Sequence, residues 1–492
     1  MALQLAVALG LVCLVAAAAS ATEPIDIGSR LELFVDDHLI EKLTGARRVL
    51  HHPTPRELAI VYDKPWEGSG CGYVTVFQDG DRYRMYYRGS QLDVQEKKVG
   101  QPHRHFCCTA ESADGIHWTR PELGIVEYAG SKANNILDVG ELGHDFSPFR
   151  DANPACKPEA RYKGVGRGKG GLLAFQSPDG IRWSPMNGGK PIITKGAFDT
   201  QNLVFWDAVR GEYRAYIRDF RDGIRDIRTA TSKDFIHWTD PVWLEWPGAP
   251  KEHIYTNQVK PYYRAPHVFI GFPTRYLDRG WAESTKALPD LEHRRLRASA
   301  NRRYGTALTE GLLMSSRDGV TFHRWREAFL RPGPEHPENW KYGDKYIAWH
   351  AVETRSHIDG APNELSLYAM EGYWTGKAAM LRRYTLRIDG FVSVAADADG
   401  GELLTKPLQF AGKHLVLNFA TSVAGSIRVE LQGTDGQPIE GFALTDCHDV
   451  FGDSLERVVS WKAGPDVSQL AGKPVRLRIV LRDADLYAIR FR

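Results

Sequence analysis

The sequence predicts an all-β chain, a five-bladed β-propeller followed by a C-terminal β-sandwich. Three observations carry that expectation. The stretch Ser112-Ala113-Asp114-Gly115-Ile116-His117-Trp118 returns as Ser177 to Trp183, as Ser232 to Trp238 without the glycine, and as Ser316 to Phe322 with a closing Phe. Each copy follows an apolar run, such as Phe106 to Ala110 or Leu172 to Phe175. An apolar run, an Asp-Gly pair and an aromatic read as a hairpin whose tight turn needs positive φ. Second, an apolar strand, an Asp or Gly turn and an aromatic strand recur between the copies, which is the signature of a repeated antiparallel unit. Third, the segments beyond about Arg383 alternate strictly, as a sheet with one wet face does.

The 492 residues divide accordingly into a leader at 1–21, a propeller at 22–382 and a sandwich at 383–492. Leu3 to Ala19 is almost wholly apolar, and Ala19-Ser20-Ala21 follows as a small-x-small cleavage pattern. This reads as a secretory signal peptide and places the protein outside the cytoplasm, secreted or periplasmic; a membrane anchor is the alternative, since Met1 to Gln4 lacks Lys and Arg. No later stretch is apolar enough to span a bilayer, so no membrane partner is expected after cleavage. A net charge of +2 gives no global electrostatic case for nucleic acid. The remaining cysteines, Cys71, Cys107, Cys108, Cys156 and Cys447, are odd in number and irregularly spaced. They read as small buried hydrophobes, and with no CxxC or HExxH spacing neither a metal nor another cofactor is expected.

In chain order, Arg30 to Val35 alternates as a strand, and Asp36 and Asp37 are placed to cap a short helix from His38 to Leu43. The first unit combines Tyr73 to Phe77, the turn Asp79-Gly80-Asp81, Tyr83 to Arg88 and the Ser112 hairpin. The second runs from about Asp145 through Tyr162 to Val165 and Leu172 to Phe175, and the third through Asn202 to Asp207 and Glu212 to Arg218. The fourth holds His267 to Phe272 and a charged insert, Glu283 to Arg303, read as helical. The fifth contains Lys345 to His350 and Glu364 to Ala369 but no hairpin of the repeated type.

In a propeller the innermost strand of each blade lines a central channel, so polar residues beside those strands are the ones to inspect. They are Glu67, Asp151 and Asp199, with Glu310 in reserve. Acids from successive units meeting on one axis suit acetal hydrolysis, in which one carboxyl protonates the leaving oxygen and another activates water or attacks the anomeric carbon. Trp66, Arg150, Asn202, Tyr255, Trp340 and His350 are candidate sugar-binding residues. Each acid has a structural alternative: a surface charge for Glu67, a turn cap for Asp199, and for Asp151, followed by Asn153 and Pro154, an Asx-turn. The hairpin aspartates 114, 179, 234 and 318 read as turn-forming.

The hairpins, the Arg150-Asp151 pair opening the second unit and the terminal sandwich resemble the five-bladed β-propeller glycoside hydrolases of the invertase and arabinanase groups. Within that superfamily the stretches Leu33–Glu41, Asp63–Gly68, Tyr83–Gly89 and Arg387–Val394 are similar to those of secreted bacterial members. The resemblance implies one acid from each of the first three blades, with Asp151 in the place of the transition-state-stabilising Asp of an Arg-Asp-Pro motif and Ala152 in place of the proline. The first-blade Asn-Asp-Pro-Asn motif and the third-blade Glu-Cys pair are absent, so Glu67 and Asp199 are assigned by position. The leading expectation is therefore a glycoside hydrolase acting on a poly- or oligosaccharide. A sialidase-like hydrolase and a non-catalytic carbohydrate-binding propeller are the alternatives.

Overall fold

The computed structural model describes residues 23–492, and the leader read at 1–21 lies outside the described residues. The chain is nearly all β; among the described residues the α-helices are Glu283–Ala287, Leu291–Ala300 and Arg302–Thr306, all in the charged insert. No helix among them is long and apolar enough to cross a membrane.

Five antiparallel sheets of four strands follow one another, numbered I to V here. Sheet I is Gly72–Asp79, Arg82–Gly89, Phe106–Ser112 and Ile136–Leu137. Sheet II is Ser147–Arg150, Tyr162–Gly168, Gly171–Ser177 and Ser184–Pro185, and sheet III is Leu203–Asp207, Glu212–Arg221, Ile224–Ser232 and Val242–Trp243. Sheet IV is Lys260–Tyr262, Ala265–Gly271, Met314–Ser316 and His323–Arg324. Beside it lies a smaller sheet of His253–Ile254, Thr274–Asp278 and Ala307–Gly311. Sheet V is Val352–Thr354, Glu364–Glu371, Met380–Arg387 and, from the far end of the chain, Thr54–Val61. That last strand carries Pro55 and exposed residues, as suits an edge that needs hydrogen bonds on one side only.

The first strands of the sheets meet along a line. Gln201 Nε2 donates to Thr75 Oγ1 at 2.9 Å, and Gln258 Nε2 donates to Gln201 Oε1 at 2.8 Å, all three residues being buried. Sheet I also meets Trp349, just ahead of sheet V, through a parallel bridge from Thr75. This amide chain closes the middle of the line and leaves two ends: one where the first strands enter and one where they leave.

The repeated hairpins are the joints between sheets. In each copy the serine hydroxyl and the aspartate carboxylate hold the turn: Ser177 Oγ accepts from Gly180 N, and Asp179 Oδ1 accepts from the amides of Ile181 and Arg182. The freed carbonyl then docks on a tyrosine of the preceding sheet. Tyr86 of sheet I donates to Gly180 O, Tyr216 of sheet III to Gly319 O, and Tyr368 of sheet V to Gly115 O. The third copy explains its missing glycine. Pairing of the serine with Tyr83, Tyr162 or Tyr213 fixes the register, and three residues on stand Tyr86, Val165 and Tyr216. Sheet II thus lacks the aromatic, and Phe235 supplies one from the hairpin, fully buried against Phe149 and Tyr213. It does so at φ 73°, the left-handed conformation its glycine counterparts take freely.

A separate eight-stranded sheet gathers both chain ends. Leu415–Gln432 and Arg476–Phe491 pair along most of their length, and Glu32–Leu33, Ile40–Thr44 and Ala46–Leu50 join them. The strand Met380–Arg387 of sheet V straddles position 382, and the terminal sheet takes in N-terminal strands whose partners lie some hundreds of residues away. Asp36 and Asp37 cap no helix. Asp36 Oδ1 accepts from His38 N in a local turn, and the two carboxylates pair with Arg317 and Arg48. Buried Glu32 ties this sheet to sheet IV through Arg317 at 2.9 Å and His267 at 3.2 Å. Burial pushes its carboxyl up, but these partners and Arg30 outweigh it and bring Glu32 down to about 2. Cys71, Cys107, Cys108 and Cys447 are buried and, like the half-buried Cys156, free.

Two substitutions test the hairpin account. Asp179→Ala removes the acceptor of two turn amides and lowers stability by about 1 to 2 kcal/mol, read as a fall in Tm. Phe235→Gly relieves about 1 kcal/mol of backbone strain but empties a buried aromatic site whose loss costs about 3 to 5 kcal/mol, so it is also destabilising. A rise in Tm for Phe235→Gly would mean the ring does not seal the joint.

Candidate functional site

The four acids singled out by sequence do not share one hollow. Glu67 is buried in a bidentate pair with Arg120, at 2.8 and 2.9 Å, and accepts from the Tyr87 hydroxyl. Asp151 takes the Asx-turn alternative: Oδ1 accepts from Asn153 N at 2.9 Å, while Oδ2 receives the Tyr213 hydroxyl at 2.7 Å and the Lys163 ammonium. Glu310 is cross-strand from Arg275 and paired with it at 2.7 Å. These three have their oxygens engaged by separate partners: Arg120 and Tyr87 for Glu67, Asn153, Tyr213 and Lys163 for Asp151, and Arg275 for Glu310.

The candidate binding residues have partners of their own. Arg150 pairs with Asp79 at 3.3 Å, and the Trp66 indole donates to Asn135 Oδ1 at 2.7 Å. The Trp340 indole donates to Gly333 O. Asn202 is buried and clamps a turn, donating to the carbonyls of Phe198 and Thr200 and accepting from Arg218 N. It holds the turn that carries Asp199.

Asp199 is different. It sits at the end where first strands enter, with its side chain about half exposed, and it pairs with Arg218 at 3.1 Å and Arg167 at 3.4 Å. Arg167 also reaches a second acid: its backbone N donates to Asp145 Oδ1 at 2.9 Å. Asp145 lies just ahead of the first strand of sheet II, buried, with Oδ2 unpartnered. Burial pushes its carboxyl up to about 7 despite the Arg167 amide. Carboxyls beside sheets II and III therefore contact the same residue, Asp145 through its backbone N–H and Asp199 through its guanidinium.

The surrounding wall is basic and aromatic. Arg88 Nη1 donates to His144 Nε2 at 3.2 Å, which leaves the imidazole proton on Nδ1, 3.5 Å from Asp145 Oδ2. Burial and the Arg88 charge bring His144 down to about 3, so this ring is neutral. Arg88 lies over the Tyr73 ring, Tyr73 stacks on Tyr346, and the Tyr255 and Tyr342 hydroxyls meet at 2.8 Å. Tyr255 is the one binding residue proposed from sequence that stands in this wall.

The exit end holds a cavity of about 460 Å³ lined by Lys260, His350, Tyr262, Tyr263, Phe272 and Phe391 among others. His350, expected at the sugar site, is here instead, with Lys260 Nζ 3.1 Å from its Nδ1. Burial lowers Lys260 to about 7. The cavity holds a single carboxylate, Glu353, which is engaged by Tyr263 and Asn363, so it lacks the paired acids of the entry end.

Sequence reasoning passed over Asp145 and the arginines. A usable signal existed. The residue opposite the start of the first strand is arginine in three successive units: Gly72 faces Arg88, and extending the register of sheets II and III sets Asp145 against Arg167 and Gln201 against Arg218.

No family model and no curated protein matches the chain. Among solved structures it is similar to the catalytic domain of a Coprinopsis cinerea GH62 alpha-L-arabinofuranosidase, with 9% identity, 68% of this chain and 97% of that one covered, and a TM-score of 0.39. An N-acetylgalactosamine deacetylase from F. plautii gives 12% identity, 70% and 95% coverage and a TM-score of 0.39. A Schwanniomyces occidentalis fructofuranosidase gives 12%, 88% and 96%, and 0.37. At such TM-scores no residue role passes from these proteins to this chain.

Because Asp151 neutralises a buried ammonium, Asp151→Asn lowers Tm markedly, by the equivalent of about 3 kcal/mol. Unchanged stability with lost activity would return Asp151 to the active site.

Proposed function

We propose that this protein is a secreted or periplasmic glycoside hydrolase whose acids are Asp145 and Asp199, set at the entry end of a five-bladed β-propeller carrying a C-terminal β-sandwich. Five consecutive four-stranded sheets with first strands converging on Thr75, Gln201 and Gln258 support the propeller reading. Strict alternation and the pairing of both chain ends support the sandwich. The leader at 1–21 supports export.

One observation carries the chemistry: two carboxyls from neighbouring sheets share Arg167, and their environments differ. Asp145 is buried and holds its proton near neutral pH, as a general acid must. Asp199 is half exposed between two guanidiniums, as suits the base or nucleophile. Movement of the His144 ring, itself partly exposed, opens Asp145 Oδ2 to a leaving oxygen. The tyrosine wall offers apolar faces and hydroxyls to a sugar ring.

The test is release of reducing ends from a panel of poly- and oligosaccharides. Asp145→Asn and Asp199→Asn each lower turnover about 10²- to 10⁴-fold with the fold retained. Wild-type activity falls as pH rises through about 7, where Asp145 loses its proton. Stability moves the same way. The raised carboxyl favours the folded state fully below its ordinary value of 3.8, and the contribution is lost as pH rises to about 7. Asp145→Asn removes that part of the slope. Binding of a glycan without cleavage, unaltered by either substitution, would leave a carbohydrate-binding propeller instead.

A further inference from the structure

The entry-end wall carries more positive charge than its acids answer. Arg167 and Arg218 share Asp199. Among the described residues Arg88, Arg225, Arg297 and Arg303 form no salt bridge; the Asp290 carboxylate acts on Arg297, and Asp278 on Arg303, only from beyond that distance. Arg225 lies over Tyr255 and Tyr276, Arg303 over Tyr342, and Arg297 over Trp374, which packs edge-on against Tyr342.

Several of these guanidiniums are unfinished. Arg218 Nε, Arg225 Nε, Arg303 Nη1 and both Nε and Nη2 of Arg297 are buried without a hydrogen-bond partner. Arg218 and Arg297 are each 1% exposed. An unpaired buried cation is costly, and a planar guanidinium is matched best by the two oxygens of a carboxylate or sulfate. Burial and Arg294 push Arg297 down to about 10, outweighing the opposite pull of Tyr373, Tyr342 and the Asp290 carboxylate.

We infer that the glycan taken by this site is anionic, its sugars bearing carboxylate or sulfate groups that the arginines of this wall neutralise. The inference rests on the glycosidase reading for its reaction and on the arginines alone for its charge. Arg88, Arg167 and Arg218 come from equivalent ends of the second strands of sheets I, II and III, so they form an arc around the two acids. Arg225, Arg297 and Arg303 extend it towards sheet IV and the insert. The aromatic faces between them fit sugar rings between successive charges.

Calorimetry and reducing-end assays on the full chain with three matched probes test this: tetragalacturonate for carboxylate, a sulfated galactan tetrasaccharide for sulfate, and neutral galactotetraose. One anionic probe binds at least about tenfold more tightly than the neutral one, and added salt weakens it. Whichever anionic probe wins identifies the group. Arg225→Met and Arg303→Met, both keeping the apolar stem, each weaken the anionic probe about tenfold and leave the neutral one unchanged. Neutral binding as tight as anionic, no binding of any probe, or Met variants that fold and bind the anionic probe undiminished would overturn the inference. Anionic binding without cleavage supports it and removes the hydrolase reading. Cleavage of the neutral probe in preference to both anionic ones keeps the hydrolase and overturns the charge.

Discussion

Arg167 is the joint on which this account turns. Its main-chain N–H fixes Asp145 and its guanidinium reaches Asp199, so one residue near the end of a strand sets two acids from different sheets against each other. The arrangement depends on antiparallel pairing. The start of a first strand and the end of a second strand necessarily lie on the same rim, and residues there gather from repeats far apart along the chain. Asn202 completes the device by clamping the turn that carries Asp199.

The scaffold behind that rim is held by two kinds of joint. The Ser-x-Asp hairpins lock each turn by side-chain to backbone bonds and dock on the sheet before it. The Thr54–Val61 strand closes sheet V with the opposite end of the chain, and Glu32 with Arg317 fixes the terminal sheet against sheet IV. Phe235 shows how tightly the first joint is specified: where Val165 replaces the docking tyrosine, the hairpin gives up its glycine and accepts a strained backbone to return an aromatic.

Much of this was legible beforehand. The repeated hairpin gave the order of the units, the longest interval between copies located the helical insert, and strict alternation after Arg383 marked the terminal strands. What escaped was non-local. Thr54–Val61 and Ile40–Leu50 have short or half-exposed patterns, and only their distant partners decide which sheet they join. The candidate site divided in the same way. Asp199 and Tyr255 lie on the entry-end rim beside Arg218. Asp151 and Glu67 are acidic and lie beside first strands, but sequence does not show that Lys163 and Arg120 would neutralise them under the sheets. Asp145 was passed over because its burial, which gives it its chemistry, is a property of Arg167 and His144 folded around it.

The charge of the wall extends the same logic. Arginines at one register position in successive units are cheap to encode in a repeat, and once the rim is assembled they stand beside Asp145 and Asp199. The account is tested most directly by titrating Asp145 itself, comparing carboxyl carbon signals of ¹³C-aspartate protein in the wild type and in Asp145→Asn. A signal absent from the variant with a midpoint near about 7 is the expected result. A midpoint at the ordinary aspartate value of 3.8 would contradict it, because an acid already deprotonated at neutral pH has no proton to give a leaving group.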